Sequence, residues 1–238
     1  MKAGFTLIET LAALSGLGIL SGLTVIGVDA ALDRVATREE VQDARSLITA
    51  YHSYMADHNS KLMPGFDKEA QALDLDGSLL PSEVAAYYPW RILPYLGKID
   101  EGLLLDEKFE RFLTLESPES TEFLAQRPDF GINAEFIGKS VIPTESSAPV
   151  VTHLGQVKDA HSLIVFTSSH GDVSSIVTAP ESARGNWKAS EFQESSRPAD
   201  YGQVDFRRDG SAVTATVDGS VALLSEPELR EMHRWSNK

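Results

Sequence analysis

The segment from Phe5 to Val28 limits most strongly what this chain can fold into. It contains one ionisable side chain, Glu9, in 24 residues. A helix rises about 1.5 Å per residue, so a helix of this length spans the roughly 30 Å hydrocarbon core of a bilayer. The segment also carries four glycines, which are frequent in membrane helices because they let backbones approach closely. We therefore expect a transmembrane helix here.

The purpose of this segment is open to three interpretations. A secretory signal peptide has a longer basic region, a shorter apolar run and a small-residue cleavage site after the run, whereas Gly4 precedes it here. A buried core helix is usually shorter. A plain membrane anchor fits the length but leaves Glu9 without a role, because a carboxylate at membrane depth is costly unless it is paired or neutral. From the residues alone, an anchor of unspecified purpose is the leading interpretation.

The residues that open this segment resemble a processing motif. Gly4–Glu9 reads Gly-Phe-Thr-Leu-Ile-Glu and follows a short stretch with one cation, Lys2. It is similar at every position to the cleavage and methylation motif of type IV prepilins. The resemblance implies that a prepilin peptidase cuts between Gly4 and Phe5 and methylates the new amine of Phe5. It also implies that Glu9 pairs with the N-terminal amine of a neighbouring subunit, which would give the buried carboxylate a cation.

The resemblance and the hydrophobic pattern together predict the organisation of the chain. The expected fold class is α+β, with a long N-terminal transmembrane, pilin-like α-helix packed on a C-terminal domain that contains an antiparallel β-meander. Polar and apolar residues interleave after Asp29, and an apolar stripe follows at helical spacing: Val41, Ala44, Ile48, Tyr51 and Met55. The expected segments are a leader (1–4), the transmembrane and polymerisation helix (5–28), the soluble half of that helix (29–59) and a globular pilin-like domain (60–238).

The first part of the globular domain is expected to be helical with loops. Helices are predicted at Trp90–Leu96, at Asp106–Leu115 and from Pro118 to Gln126. Asp74-Leu75-Asp76-Gly77 resembles half of a calcium loop, but the oxygen ligands of an EF-hand do not follow at its spacing, so a turn is predicted.

The second part is expected to contain strands. Ser162–Thr167 and Ser174–Thr178 are rich in β-branched and apolar residues. Between them, Ser168 to Asp172 contains the letters of a serine triad, but neighbours in one loop rarely converge as a triad requires, so a turn is predicted.

The C-terminal region carries the clearest β signal. Two Asp-Gly pairs, at Asp209 and Asp218, separate extended runs, and Asp-Gly is a strong hairpin signal because glycine accepts positive φ. A three-stranded antiparallel meander is therefore predicted over Gln203–Arg207, Ala212–Val217 and Val221–Leu224. Ser225 and Glu228 form a capping box that opens a last helix, expected to end near Trp235.

Parts of the globular domain are similar to a subgroup of bacterial pseudopilin-like proteins that carry a C-terminal histidine, nine residues and then Asp-Gly. The similar elements are Trp90–Leu96, Phe130–Asn133 and Asp218–Val221. Arg208 stands where the subgroup has its histidine. A related resemblance, to G-type pseudopilins, implies a calcium ion near the C-terminal strands.

Asp218 and Asp209 are weak candidate ligands for such an ion, since calcium prefers oxygen ligands. Arg208 argues for a different use of the local carboxylates. We therefore expect no cofactor, with calcium as the alternative, and an Arg208–carboxylate contact or a solvated turn.

Composition and motifs exclude several function classes. The net charge of −14 argues against nucleic-acid binding, and the absence of cysteine excludes disulfides and thiolate chemistry. No two of the six histidines lie at i, i+4, and there is no phosphate-binding glycine loop or nucleophile elbow. We expect no enzyme and no catalytic residue.

The resemblance implies a structural subunit of a type II secretion pseudopilus, a pseudopilin, with a type IV pilus pilin as the alternative. Its expected partners are homologous pilin-like subunits, prepilin peptidase, an inner-membrane assembly platform and the lipid bilayer. The expected location is the inner membrane, crossed once, with Lys2 cytoplasmic and the C-terminal domain in the periplasm.

Overall fold

The computed structural model describes residues 34–138, 149–170, 175–182, 187, 192–193 and 196–237. The expected leader and transmembrane segment lie outside these residues. Within the described ranges, no helix combines the length and apolarity that crossing a membrane requires. The chain divides into two compact units, Met1–Glu39 and Glu40–Lys238. We call the second the globular unit. Apart from the start of the first described helix, the architecture below belongs to it.

The first helix, α1, covers residues 34–57. From Glu40 onward it packs in the globular unit, where its apolar stripe is buried. Ala44, Ile48, Tyr51 and Met55 are each exposed by 5% or less, and Leu47 is fully buried beside them. The stripe predicted from the three- and four-residue spacing is confirmed, although its first member, Val41, is only partly buried against the same cluster.

A group of shorter helices follows α1. They are α2 (Ser82–Ala85), α3 (Tyr88–Leu96), α4 (Asp106–Thr114) and α5 (Glu119–Gln126). The predictions of α3, α4 and α5 are confirmed within one or two residues. The indole of Trp90 donates a hydrogen bond of 2.9 Å to the carbonyl of Thr121, which ties α3 to α5. The turn predicted at Asp74 is also present, because one oxygen of its carboxylate accepts the amides of Asp76 and Ser78.

A five-stranded mixed sheet lies against these helices. Its strands are β1 (Phe130–Asn133), β2 (Ile164–Ser168), β3 (Ile176–Val177), β4 (Ser211–Thr216) and β5 (Val221–Ser225). The spatial order is β3-β1-β2-β4-β5. The β1–β3 pair is parallel and the other three pairs are antiparallel. The fold class is therefore α+β, as expected.

Alternate residues of the strands feed two apolar clusters, because successive side chains point to opposite faces. Val213 and Ala215 join the cluster that contains α1, while Ala212 joins a second cluster around Tyr201 and Trp235. The sheet thus separates two cores.

The predicted C-terminal meander is only partly present. The β4–β5 hairpin forms around Asp218-Gly219, where Gly219 has φ of 94°. Gln203–Arg207 is not a strand, and the other neighbour of β4 is β2. Gln203 and Asp209 have positive φ. The backbone amides of Arg208 and Ser211 each donate to the other residue's carbonyl and form a tight turn, so no extended run precedes β4.

Two further expectations need correction. The strands predicted at Ser162–Thr167 and Ser174–Thr178 are present as β2 and β3. They are not neighbours in the sheet, because β1, which was not predicted as a strand, lies between them. The last helix, α6 (Glu226–Leu229), is followed by a separate 3₁₀ turn at Met232–Arg234 and does not continue to Trp235. Its start was predicted correctly, since the amide of Ser225 donates to Glu228 at 2.8 Å.

Gly131 in β1 provides a test of this packing. A Cβ at this position would clash with Cγ1 of Val177, whose side chain is fully buried. Gly131→Ala should therefore lower the free energy of unfolding by about 1–3 kcal/mol. The free energy of unfolding is measured by chemical denaturation. The control variant is Gly155→Ala, because an added Cβ there meets nothing within 4 Å. Equal losses for the two variants would contradict the placement of β1 beside β3.

Candidate functional site

A carboxylate buried in α1 is the centre of the candidate site. Glu40 is completely inaccessible to solvent. Nε of Arg208 lies 2.6 Å from its Oε2, and Nη2 of Arg207 lies 2.7 Å from its Oε1. The hydroxyl of Ser168 donates to the same Oε1 at 2.6 Å. Both oxygens of the carboxylate are therefore compensated, as a buried charge requires.

The electrostatics of the site favour the ionised carboxylate. Burial by itself would raise the pKa of Glu40. The positive charge of Arg207, its hydrogen bond, the Ser168 hydroxyl and the charge of Arg208 outweigh this effect and hold the pKa of Glu40 below its ordinary value.

The contacts extend beyond Glu40 into a larger network. Nη1 of Arg207 lies 3.3 Å from Oδ2 of Asp205 and 3.6 Å from Oδ1 of Asp129. The same oxygen of Asp129 lies 2.9 Å from Nζ of Lys108. Three acids thus alternate with three cations. We call this set the Glu40 network: Glu40, Lys108, Asp129, Asp205, Arg207 and Arg208.

The fold brings these side chains together from distant parts of the chain. Ser168 ends β2, and its hydroxyl also accepts the amide of Val213 in β4 at 2.9 Å. The backbone hydrogen bonds between Arg208 and Ser211 form the tight turn that places Arg208 just before β4. Asp129 directly precedes β1, and one of its oxygens accepts the amide of Leu105 at 2.7 Å. The network therefore joins α1 to the sheet and to the loop before α4.

The charged groups of the network compensate one another. Its carboxylates and guanidinium groups are occupied by one another, and the buried hydroxyl of Ser168 donates to Glu40. A buried ion pair with this geometry contributes specificity of orientation as well as energy. Here it holds the turn of α1 that carries Glu40 against the end of β2 and the turn before β4.

The expected Arg208–carboxylate contact is confirmed, but the partner is Glu40. Asp218 lies much closer to Arg208 in sequence than Glu40 does, but it is bound by other groups. Asp218 instead accepts from the hydroxyl of Thr216 at 2.7 Å and the amide of Ser220 at 2.9 Å. Burial acts to raise the pKa of Asp218, but these hydrogen bonds and one to His161 lower it well below its usual range.

Glu40 itself was not predicted from the sequence. It follows Arg38 and Glu39, so its neighbours are typical of a solvated face. A signal was nevertheless present, since Glu40 precedes Ala44 by four residues and Leu47 by seven, which places it on the buried stripe.

The other predicted site residues separate into two groups. Gly4, Phe5 and Glu9 lie outside the described residues. Asp209 is exposed in the turn before β4. In the described part of the chain, no group of three or more histidine, aspartate or glutamate side chains could hold a metal ion. In the segment that contains the residue types of a serine triad, Ser168 and Ser169 are fully buried, and Asp172 lies outside the described residues.

Comparison of the chain with known protein families, with curated proteins and with solved structures finds no match.

Substitution of Glu40 should destabilise the globular unit strongly. Glu40→Gln leaves Arg207 and Arg208 facing a neutral amide, and loss of one partner of a buried pair costs about 3 kcal/mol. Chemical denaturation should show this loss, whereas Glu39→Gln, the same change at the exposed neighbouring residue, should alter stability by less than about 0.5 kcal/mol. Similar effects of the two changes would contradict the role of Glu40.

The same carboxylate predicts a pH dependence. Because the pKa of Glu40 is lower in the folded state than the ordinary 4.5, its contribution to stability is complete above that value and is lost as the pH falls through the folded pKa. The stability difference between the native chain and Glu40→Gln should therefore be largest near neutral pH and shrink in acid. A difference that stays constant down to a pH of about 3 would contradict the lowered pKa.

Proposed function

We propose that this chain is a pseudopilin, a structural subunit of a type II secretion pseudopilus. The observation that carries the proposal is the resemblance of Gly4–Glu9 to the prepilin processing motif, directly before an apolar segment of membrane-spanning length. A type IV pilus pilin is the alternative. In either case the subunit is processed by prepilin peptidase and assembles through its N-terminal helix.

The Glu40 network supports a role in transmitting force. A filament subunit that polymerises through its N-terminal helix must pass force between that helix and its globular part. The chain places a buried, compensated carboxylate at Glu40, the first residue of the globular unit, and bonds it to two consecutive arginines. Breaking this contact would leave charges without partners, so sliding of α1 over the sheet is disfavoured.

The remaining parts of the proposal follow from the same resemblance. The chain crosses the inner membrane once, and the globular unit lies in the periplasm. Its partners are homologous pilin-like subunits, prepilin peptidase and the inner-membrane assembly platform. In this proposal α1 is the soluble half of a pilin-like helix whose other half is the transmembrane segment.

The two candidate systems predict different phenotypes. If the chain is a pseudopilin, deletion of the gene should abolish the export of folded proteins. If it is a pilin, deletion should abolish surface pili or twitching motility. Neighbouring genes for a secretion ATPase and secretin favour the first, and a retraction ATPase favours the second.

Substitution of Glu9 tests assembly directly. Glu9→Val should leave the globular unit folded but prevent filament formation, because the carboxylate is proposed to pair with the amine of another subunit. Filaments sheared from cells are counted beside Thr10→Val, which places the same side chain at the adjacent position. Mass spectrometry of both variants should show a chain that starts at Phe5. Normal filament yield from Glu9→Val, or an intact Met1 in cells with active peptidase, would contradict the proposal.

A further inference from the structure

A second site lies away from the Glu40 network, between α1 and α3. It is a cavity of about 450 Å³. Tyr54 of α1 and His58, which directly follows α1, line one side. Arg91 and Tyr95 of α3 line another, and the segment that begins at Asp67 completes it. We call it the Tyr54 cleft. None of the residues that line this cleft belongs to the Glu40 network.

The walls of the Tyr54 cleft are aromatic. The ring of His58 stacks on that of Tyr54 with centroids 3.9 Å apart, and the ring of Tyr95 meets Tyr54 edge-on at 5.8 Å. Tyr54 and His58 are four residues apart, as are Arg91 and Tyr95, and this spacing places side chains on one face of a helix. Flat aromatic surfaces of this kind accept an apolar or aromatic ligand group.

A cation with an unused donor lies in the cleft. Nη2 of Arg91 donates to the carbonyls of Pro64 at 2.6 Å and Ala86 at 3.1 Å, and Nε donates to Tyr87 at 3.4 Å. Within the described residues, Nη1 has no hydrogen-bond partner, and no carboxylate lies within 4.0 Å of the guanidinium. Burial lowers the pKa of Arg91 to about 10 although the charge of Asp67 acts to raise it, so burial outweighs the nearby carboxylate and a further negative charge at the guanidinium would be favourable.

An acceptor and a hydroxyl complete the polar groups. Oδ1 of Asp67 accepts the amide of Glu69 at 3.1 Å, while Oδ2 bonds to no group in the described part of the chain. The hydroxyl of Tyr54 likewise has no hydrogen bond to the described residues. Burial raises the pKa of Tyr54, and the charges of Arg91 and Asp67 act on it in opposite directions. The cleft therefore combines a free donor, a free acceptor and aromatic walls.

We propose that the Tyr54 cleft binds a small zwitterion of the amino-acid class with an apolar or aromatic side chain. The ligand carboxylate accepts from Nη1 of Arg91, the ammonium donates to Oδ2 of Asp67, and the side chain lies against Tyr54 and Tyr95. Asp67 would repel a ligand that carries only a negative charge, and Arg91 would repel one that carries only a positive charge. A purely apolar ligand would leave both charged side chains without partners.

Binding of L-phenylalanine to the full-length protein in detergent tests this proposal. Isothermal titration is compared for four probes of one shape: L-phenylalanine, 3-phenylpropionate, phenethylamine and N-acetyl-L-phenylalaninamide. The zwitterion should bind at least about tenfold more tightly than either probe with a single charge, because each lacks one charge-assisted hydrogen bond. No binding of L-phenylalanine, or equal binding of it and 3-phenylpropionate, would overturn the proposal. Equal or tighter binding of the neutral amide would overturn it in favour of peptide docking.

Variants distinguish a binding role from a structural one. Arg91 also holds three backbone carbonyls, so the variants leave it in place. Asp67→Asn keeps the acceptor for the Glu69 amide but removes the charge, and should weaken L-phenylalanine binding about tenfold without weakening 3-phenylpropionate. Asp76→Asn makes the same change at an exposed residue outside the cleft and should leave binding unchanged. Equal affinities of these two variants for L-phenylalanine would overturn the assignment of Asp67. The result does not depend on filament assembly, so it stands apart from the test of Glu9.

Discussion

The buried carboxylate of Glu40 is the constraint on which the rest of the globular unit depends. An ionised group without solvent access is tolerated only where cations and donors surround it. Here Arg207, Arg208 and the Ser168 hydroxyl supply them. Each of these partners is fixed in turn by the sheet or by the turn before β4, so satisfying one charge sets the positions of α1, β2 and β4 together.

This constraint also accounts for the failure of the predicted meander. The Asp-Gly pairs indicated both turns correctly, but the run before Asp209 is not extended. Two consecutive arginines there both reach Glu40, which consecutive residues of a flat strand cannot do because their side chains alternate between faces. The turn signal is local, whereas the ion pairs that prevent an extended strand join Glu40 to residues 167 and 168 positions further along the chain, and local pattern does not indicate such a pairing.

Sequence predicted most reliably what depends on periodicity and local chemistry. The α1 stripe, α3, α4, α5 and the start of α6 all follow from spacing or capping residues. The strand β1 was missed because Gly131 and Asn133 are poor strand formers, and it exists because both of its neighbours pair with it. The Glu40 network and the Tyr54 cleft join residues far apart in the chain, so neither was predicted as a site.

A double-mutant cycle between Glu40 and Arg208 tests most directly whether the buried pair fixes α1 to the sheet. The free energy of unfolding is measured for Glu40→Gln, Arg208→Gln and the combined variant. The account predicts that the two losses do not add, with an interaction energy of about 2 kcal/mol, because each single change already breaks the contact. Losses that add within about 0.5 kcal/mol would contradict it, since the two residues would then stabilise the unit independently.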